Sequence, residues 1–308
     1  MTDRLMLLDS ASLYFRAFFG VPSVSAPDGT PVNAVRGFLD IIAKLVSTYD
    51  PGSVVACWDD DWRPAWRVAL IPTYKAHRVT ETVPGGRDVE EVPDALTAQV
   101  PLIRETLAVL GIPIAGASGY EADDVIGTLT ARAGGPVDVV TGDRDLFQLV
   151  DDDRGVRVVY TARGMSNLEV VTDDVIVGKY GVHAAQYADF ATLRGDASDG
   201  LPGVSGVGEK SAATLLQTHG TLDGVRAAAH AGTGMTARIS TRIVDAAPYL
   251  EVAPEVVQVA REAPVDAAPG PLGPVTDEQR RAAEEFATTW GLSAPMARAL
   301  NALAAAAR

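Results

Sequence analysis

Val137-Asp138-Val139-Val140-Thr141-Gly142-Asp143-Arg144-Asp145 is a short apolar run that stops at a glycine turn and two aspartates. A run of this length bounded by turn residues reads as a buried strand. Leu5 to Leu8 ends in the same way, at Asp9, and Val54 to Trp58 ends at Asp59, Asp60 and Asp61. Ile112 to Ala115 and Val156 to Tyr160 complete the strand candidates. Between them, Val32 to Val46, Pro93 to Leu110 and Tyr120 to Ala133 carry apolar residues at helical spacing, with Leu96, Val100, Ile103, Leu107 and Leu110 marking one face. Strands alternating with helices predict an α/β domain around a mostly parallel sheet.

Outside this core the pattern changes. Val79 to Asp94 has no periodicity and contains Pro and Gly, so it reads as a loop. From Asp173 onward the chain reads as helices with short turns, through Ala184 to Leu193 and Glu209 to Thr218. Val252 to Thr276 shows little pattern, and Asp277 to Trp290 and Pro295 to Ala307 read as helices.

At 308 residues with 47 % hydrophobic and 21 % charged residues, the chain can bury a sizeable core, and global disorder is excluded. Cys57 is the single cysteine, which removes disulfides and cysteine-based zinc sites and suits a reducing, cytoplasmic setting. The apolar run before Asp9 is too short for a signal-peptide core, and no stretch reaches the roughly 18 apolar residues of a membrane span. With 26 basic and 40 acidic residues the net charge is −14, which at first argues against a polyanionic partner.

The position of the acids answers that objection. In an open α/β sheet ligands bind in the crevice at the carboxyl ends of the strands. Asp9, the Asp59–Asp61 group, Asp143 and Asp145 all follow strand candidates. Gly119-Tyr120-Glu121-Ala122-Asp123-Asp124 opens a helix, and Asp196 and Asp199 lie three apart in Gly195-Asp196-Ala197-Ser198-Asp199-Gly200. Taken singly, helix-start acids are explained by the macrodipole, and Gly-Asp by turn preference. As a set, crowded carboxylates repel and raise one another's pKa, so such a cluster persists where divalent cations neutralise it. Oxygen-only ligands favour Mg²⁺ or Mn²⁺ over zinc, and two such ions roughly 4 Å apart suit in-line displacement at a phosphodiester.

Leu201-Pro202-Gly203-Val204-Ser205-Gly206-Val207-Gly208-Glu209-Lys210 places three glycines before a helix start, a helix-hairpin-helix pattern that can hold a phosphate backbone on free N–H groups. Glu209 intervenes where a Walker A loop needs Gly directly before Lys, and the spacing is wrong for a dinucleotide fingerprint. A glycine-rich turn with no ligand is the plain alternative.

Together these residues resemble the 5′-nuclease (flap endonuclease) family, including the 5′-to-3′ exonuclease domain of bacterial DNA polymerase I. The matching text is Leu7-Leu8-Asp9-Ser10 with Tyr14 and Arg16, Trp66-Arg67, Tyr74-Lys75-Ala76-His77-Arg78, Gly119 to Asp124, Thr141 to Leu146, Leu193 to Asp199 and Leu201 to Lys210. The resemblance implies a PIN-like α/β core over residues 1–172, with a helical arch at about 62–94. It implies a helical region over 173–308 with the helix-hairpin-helix motif at about 193–218, often carrying K⁺ in the family. It also implies divalent-metal-dependent cleavage near the base of a 5′ flap and 5′ exonuclease action on DNA.

The family's metal-binding acids carry over to Asp9, Glu121, Asp123, Asp124, Asp143, Asp145, Asp196 and Asp199. Counting back from Trp66-Arg67 without gaps adds Asp60, although the strand-end pattern would allow Asp59. Lys75 and Arg78 match basic residues near the scissile phosphate, acting there with Asp143 and Asp145. Tyr74, Arg67, Gly203, Gly206, Gly208 and Lys210 are the expected DNA contacts. Expected partners are 5′ flaps, nicked or gapped duplex and 5′ ends, with DNA polymerase and ligase as functional neighbours, a monomeric state and a bacterial cytoplasm where DNA holds the protein at the nucleoid.

Two departures from the family pattern stand out. Gly200 occupies the place of an Asn, which predicts weaker local support for Asp199. Val79 to Asp94 has Arg87 as its only basic residue against several acids, which predicts weak or altered clamping of a 5′ strand. No polymerase domain follows residue 308, so a free-standing nuclease is expected. Setting aside the nine site acids leaves 26 basic against 31 acidic residues, a net −5, so duplex binding is expected to depend on local basic patches, the hairpin and metal, and on salt. A catalytically silent DNA-binding module and a PIN-type ribonuclease are the competing readings.

Overall fold

The computed structural model describes residues 4–83, 86–266 and 269–307. Its chain order is β1 (Leu5–Asp9), α1 (Ser10–Gly20), α2 (Asn33–Tyr49), β2 (Ser53–Cys57), α3 (Ala65–Leu70), β3 (Val79–Glu81), β4 (Val89–Glu90), α4 (Asp94–Thr97), α5 (Val100–Val109), β5 (Ile114–Ala115), α6 (Ala122–Arg132), β6 (Val137–Thr141), β7 (Val156–Tyr160) and β8 (Glu169–Val171). The helical part follows as α7 (Asp173–Tyr180), α8 (Tyr187–Arg194), α9 (Glu209–His219), α10 (Leu222–Ala231), α11 (Ala237–Asp245), α12 (Ala247–Val257), α13 (Asp277–Trp290) and α14 (Ser293–Ala306).

The main sheet has the order β5-β2-β1-β6-β7-β8, parallel except for β8. Successive strands run outward from β1 in one direction to β2 and β5, then in the other to β6 and β7. The switch point therefore lies between β1 and β6, with its crevice at their carboxyl ends. Strands buried on both faces read as near-continuous apolar runs, which is why these were legible even with Asp138 in β6 and Arg157 in β7. Leu5, Leu7, Val137 and Val139 feed one core, whereas Met6, Leu8, Val54 and Val140 feed the other.

The helices supply the two covers. The α2 stripe Val35, Phe38, Leu39, Ile42 and Leu45 packs beneath the second core, and Phe286, Met296, Leu300 and Leu303 of α13 and α14 complete it. On the opposite face, α6, α8 and α9 close the first core with Ile126, Phe190 and Leu216. The segment after α12 runs along α6. Ala263 N donates to Thr128 Oγ1 (3.0 Å), and Arg132 donates to the Ala263 and Val265 carbonyls (2.8 and 2.7 Å). Gly127 permits this, since a Cβ there would stand 2.6 Å from Ala260 O.

Several expectations change. The helix read over Pro93 to Leu110 is two helices, broken where buried Gln99 turns back to accept from Ala34 N (2.7 Å) and donate to Asn33 Oδ1 (3.0 Å) at the start of α2. Instead of a helical arch, the described residues of 62–94 form α3, a 3₁₀ turn over 76–78 and the β3–β4 hairpin; positions 84 and 85 lie outside the description. That hairpin is pinned by Trp62 Nε1 donating to Asp88 O (2.8 Å) and by an Arg63–Asp88 ion pair. The stretch read as patternless from Val252 is helical to Val257, with Pro248 in the first turn of α12 and Pro254 inside it.

Leu300 is 1 % exposed between α14 and α2. Leu300→Ala is expected to lower stability by about 2–5 kcal/mol, read as a drop in the urea midpoint at unchanged slope.

Candidate active site

The carboxyl ends of β1, β2 and β6 open into a cleft of about 590 Å³, with α6 and the 196–199 loop at its walls. Asp9 ends β1 and caps α1. Its Oδ1 accepts from Ser12 N (3.1 Å) and its Oδ2 from Thr141 Oγ1 (2.6 Å). Burial pushes the Asp9 carboxyl up to about 7, with the charges of Asp59 and Asp143 adding to it against the Thr141 hydrogen bond. Asp59, just past β2, accepts from Ala122 N (2.9 Å) at the start of α6 and is also raised by burial. Asp123 in the first turn of α6 is driven well above the usual carboxylate range by burial and then by Asp9 and Asp143.

A second group continues from Asp143. Asp143 Oδ1 accepts from Asp145 N (2.9 Å), and Asp145 is raised by burial and then by Asp143, Asp199 and Asp196. Asp145 Oδ1 is buried without a hydrogen-bond partner. Asp196 accepts from Ser198 N (2.8 Å) and pairs with Arg194 (3.1 Å), contacts that hold it below its ordinary range despite burial. Asp199 pairs with Arg78 Nη2 (3.1 Å).

Not every expected acid faces the cleft. The choice of Asp60 is corrected to Asp59, because Asp60 turns toward Gly116, where a Cβ would stand 2.5 Å from its Oδ2. Asp124 is fully buried and gripped by Arg67 through Oδ1 and Oδ2 (both 2.7 Å), and its Oδ1 also accepts from Ala260 N (2.8 Å). That engagement takes Asp124 out of the ligand set. Glu121 lines the cleft but is held by Arg67 Nη1 (2.6 Å), Tyr74 Oη (2.7 Å) and Lys75 Nζ.

The same network corrects two expected DNA contacts. Arg67 is 2 % exposed, donates from Nε to Val256 O (3.1 Å) and lies 4.4 Å from the Trp66 ring, so it cannot reach a phosphate. Tyr74 is 3 % exposed with its hydroxyl spent on Glu121, so it cannot stack on a base. Lys75 and Arg78 do line the cleft.

In the 195–208 hairpin, Gly203 (φ 63°) packs backbone to backbone on Gly195, whose N would stand 2.5 Å from a Cβ at 203. Val204 and Val207 anchor the loop in the first core, whereas Gly206, Gly208 and Lys210 face solvent around the start of α9. Thr141 was missed by sequence reasoning. Its hydroxyl donates to Asp9 and accepts from Asp143 N (2.9 Å), linking the two strand ends. Its place directly before Gly142-Asp143 was the available signal.

Among the described residues, no three acidic, histidine or cysteine side chains are already gathered to hold an ion. The donor set nevertheless fits a hard divalent cation. Asp9, Asp59, Asp123, Asp143 and Asp145 offer oxygen only, have no ion-pair partner among the described residues, and include a buried oxygen with no partner.

Comparison with known proteins bears on these features. The family description "5'-3' exonuclease, N-terminal resolvase-like domain" matches residues 4–181, and "5'-3' exonuclease, C-terminal SAM fold" matches residues 182–277. The chain belongs to the 5′-3′ exonuclease family. A 5′-3′ exonuclease of Streptomyces coelicolor is 57 % identical over 302 residues, 97 % of this chain and 100 % of that protein. DNA polymerase I of Mycobacterium bovis is 42 % identical over 223 residues, 71 % of this chain and 23 % of the polymerase. The fold is shared with the T5 D15 protein co-crystallized with metal ions (TM-score 0.65, 15 % identity, 99 % of this chain and 100 % of that one). Human GEN1 in complex with Holliday junction DNA also shares it (TM-score 0.62, 16 % identity, 98 % and 72 %). The PIN-like core and the helical SAM-fold region are thus those of a nuclease family. No helix among the described residues is long and apolar enough to cross a membrane.

Two outcomes follow for this exonuclease-family chain. Arg67→Met leaves Glu121 and Asp124 buried without their guanidinium, and is expected to cost about 3–5 kcal/mol in denaturant unfolding; a DNA-facing arginine would leave stability unchanged. Because the folded Asp9 keeps a proton that an unfolded aspartate has lost, its ionisation lowers stability as pH rises from 3.8 to about 7. Asp9→Asn should therefore stabilise metal-free protein by on the order of a few kcal/mol above pH 7, with the gain vanishing near pH 4 in melting experiments.

Proposed function

We propose that this protein is a structure-selective 5′ nuclease that hydrolyses DNA phosphodiesters with the help of divalent cations, Mg²⁺ or Mn²⁺. The observation that carries the reading is the meeting of Asp9, Asp59, Asp123 and Asp143, from four separate stretches of chain, in one cleft that Lys75 and Arg78 also line. Asp9, Asp59, Asp123 and Asp143 would hold one ion, and Asp143, Asp145, Asp196 and Asp199 a second. Such ions supply an activated water and charge stabilisation of the leaving oxygen.

The chain's own residues do the positioning. Lys75 keeps a third ammonium donor beyond those given to Glu121 and to Trp62 O (3.5 Å), and Arg78 has guanidinium donors beyond the Nη2 contacts to Ser198 O and Asp199. Those donors can meet a phosphate where negative charge develops. Thr141 and Ser12 fix the Asp9 carboxylate, and Ala122 N fixes Asp59. Backbone N–H groups at the start of α9, beside exposed Gly206, Gly208 and Lys210, can grip the duplex backbone without reading sequence, which supports selection by structure. The substrate class is 5′-flapped, nicked or gapped DNA and free 5′ ends, as arises in RNA-primer removal during replication and in repair.

The test is cleavage of 5′-flap DNA with Mg²⁺. Asp59→Asn is expected to lose about a hundredfold or more in rate, and Asp60→Asn to stay within about threefold of the parent, with EDTA abolishing both. Full activity of Asp59→Asn, or binding without any product in the parent protein, would refute the assignment.

A further inference from the structure

Among the described residues, two that are not glycine have positive φ: Asp50 at 46° and Lys75 at 47°. Asp50 is the left-handed C-cap of α2, a place where that conformation is common. Lys75 has no such excuse, and a non-glycine residue held there costs free energy that its surroundings must over-determine. What holds it is the acidic loop. Three consecutive carbonyls of that loop accept from the turn bearing the basic residues: Ser198 O from Arg78 Nη2 (2.7 Å), Asp199 O from Lys75 N (2.9 Å) and Gly200 O from Thr73 Oγ1 (2.8 Å).

This edge-to-edge contact depends on residue 200 having no side chain. Gly200 has φ 70°, and a Cβ there would stand 2.1 Å from Thr73 O, 3.0 Å from Thr73 C and 3.4 Å from Lys75 N. The obstacle is backbone, so no rotamer change relieves it. The expectation that a glycine here loosens Asp199 is thereby reversed: the glycine admits the turn that grips the Asp199 carbonyl.

We propose that Gly200 is a positioning residue that lets the 196–200 loop dock on the Thr73–Lys75 turn, and so sets Lys75 against Glu121 and Arg78 against Asp199. It touches no substrate. Its effect reaches chemistry by fixing how far the cationic side chains stand from the second group of acids. The inference rests on the nuclease reading for its kinetic consequence and not for its structural one.

The experiment pairs Gly200→Ala with Thr73→Val, which removes only the hydroxyl bond to Gly200 O. Amide exchange is followed on metal-free, DNA-free protein, and flap cleavage with Mg²⁺. In Gly200→Ala the Lys75 amide should exchange at least about tenfold faster while the β1 amides keep their parent rates. Its kcat should fall about tenfold or more with KM within about twofold, the split expected of misplaced transition-state contacts. Thr73→Val should lose about three- to tenfold in kcat, and it decides the matter if Gly200→Ala fails to fold. A parent-like Lys75 exchange rate in a folded Gly200→Ala protein, or parent-like kcat in both variants, overturns the proposal. If the parent itself does not cleave, the exchange measurement still decides the positioning claim, separately from the nuclease reading.

Discussion

Carboxylates brought together at the ends of parallel strands repel one another, and the rest of this structure is arranged around that repulsion. The cations near the cleft are distributed unevenly. Arg67 goes to Glu121 and Asp124, Lys75 to Glu121, Arg194 to Asp196 and Arg78 to Asp199. Asp9, Asp59, Asp123, Asp143 and Asp145 have no such ion pair among the described residues. Of these five, Asp9, Asp59, Asp123 and Asp143 line the cleft, and proton affinity is raised at Asp9, Asp59, Asp123 and Asp145.

How much of this was readable in the sequence follows from the same physics. The five parallel strands were legible because burial leaves runs dominated by apolar residues, broken in β6 and β7 only by Asp138 and Arg157, which pair with each other. The edge strand β8 was not, since Glu169-Val170-Val171 is three residues long and too short to show a period. The convergence of acids at strand ends was also legible. Which of two adjacent acids faces the cleft was not, because the turn after β2 aims Asp59 at the N-terminus of α6 and Asp60 at Gly116, and neither partner is near in sequence. Arg67, Tyr74 and Asp124 look like surface residues in a list. They are buried because they satisfy one another and Glu121 across about fifty positions of chain, and charge burial is invisible until its partners are known.

The negative net charge fits this picture once its location is considered. Glycines at 206 and 208 and Lys210 surround the exposed start of α9, and the local field of a helix N-terminus acts over a few ångströms, whatever the distant surface carries. The hairpin of β3 and β4 carries Glu81 and Glu90, while its Asp88 is paired with Arg63.

The segment from Gln258 to Val265 gives the helical half a mechanical role. It lies against the helix that begins with Glu121 and Asp123, and Asp124 itself accepts from Ala260 N. The two halves are therefore poor candidates for exchange as separate modules. A chimaera joined at the end of the sheet would have to bring along a matching strap, or the helix whose start lines the cleft would lose the neighbour that fixes its tilt.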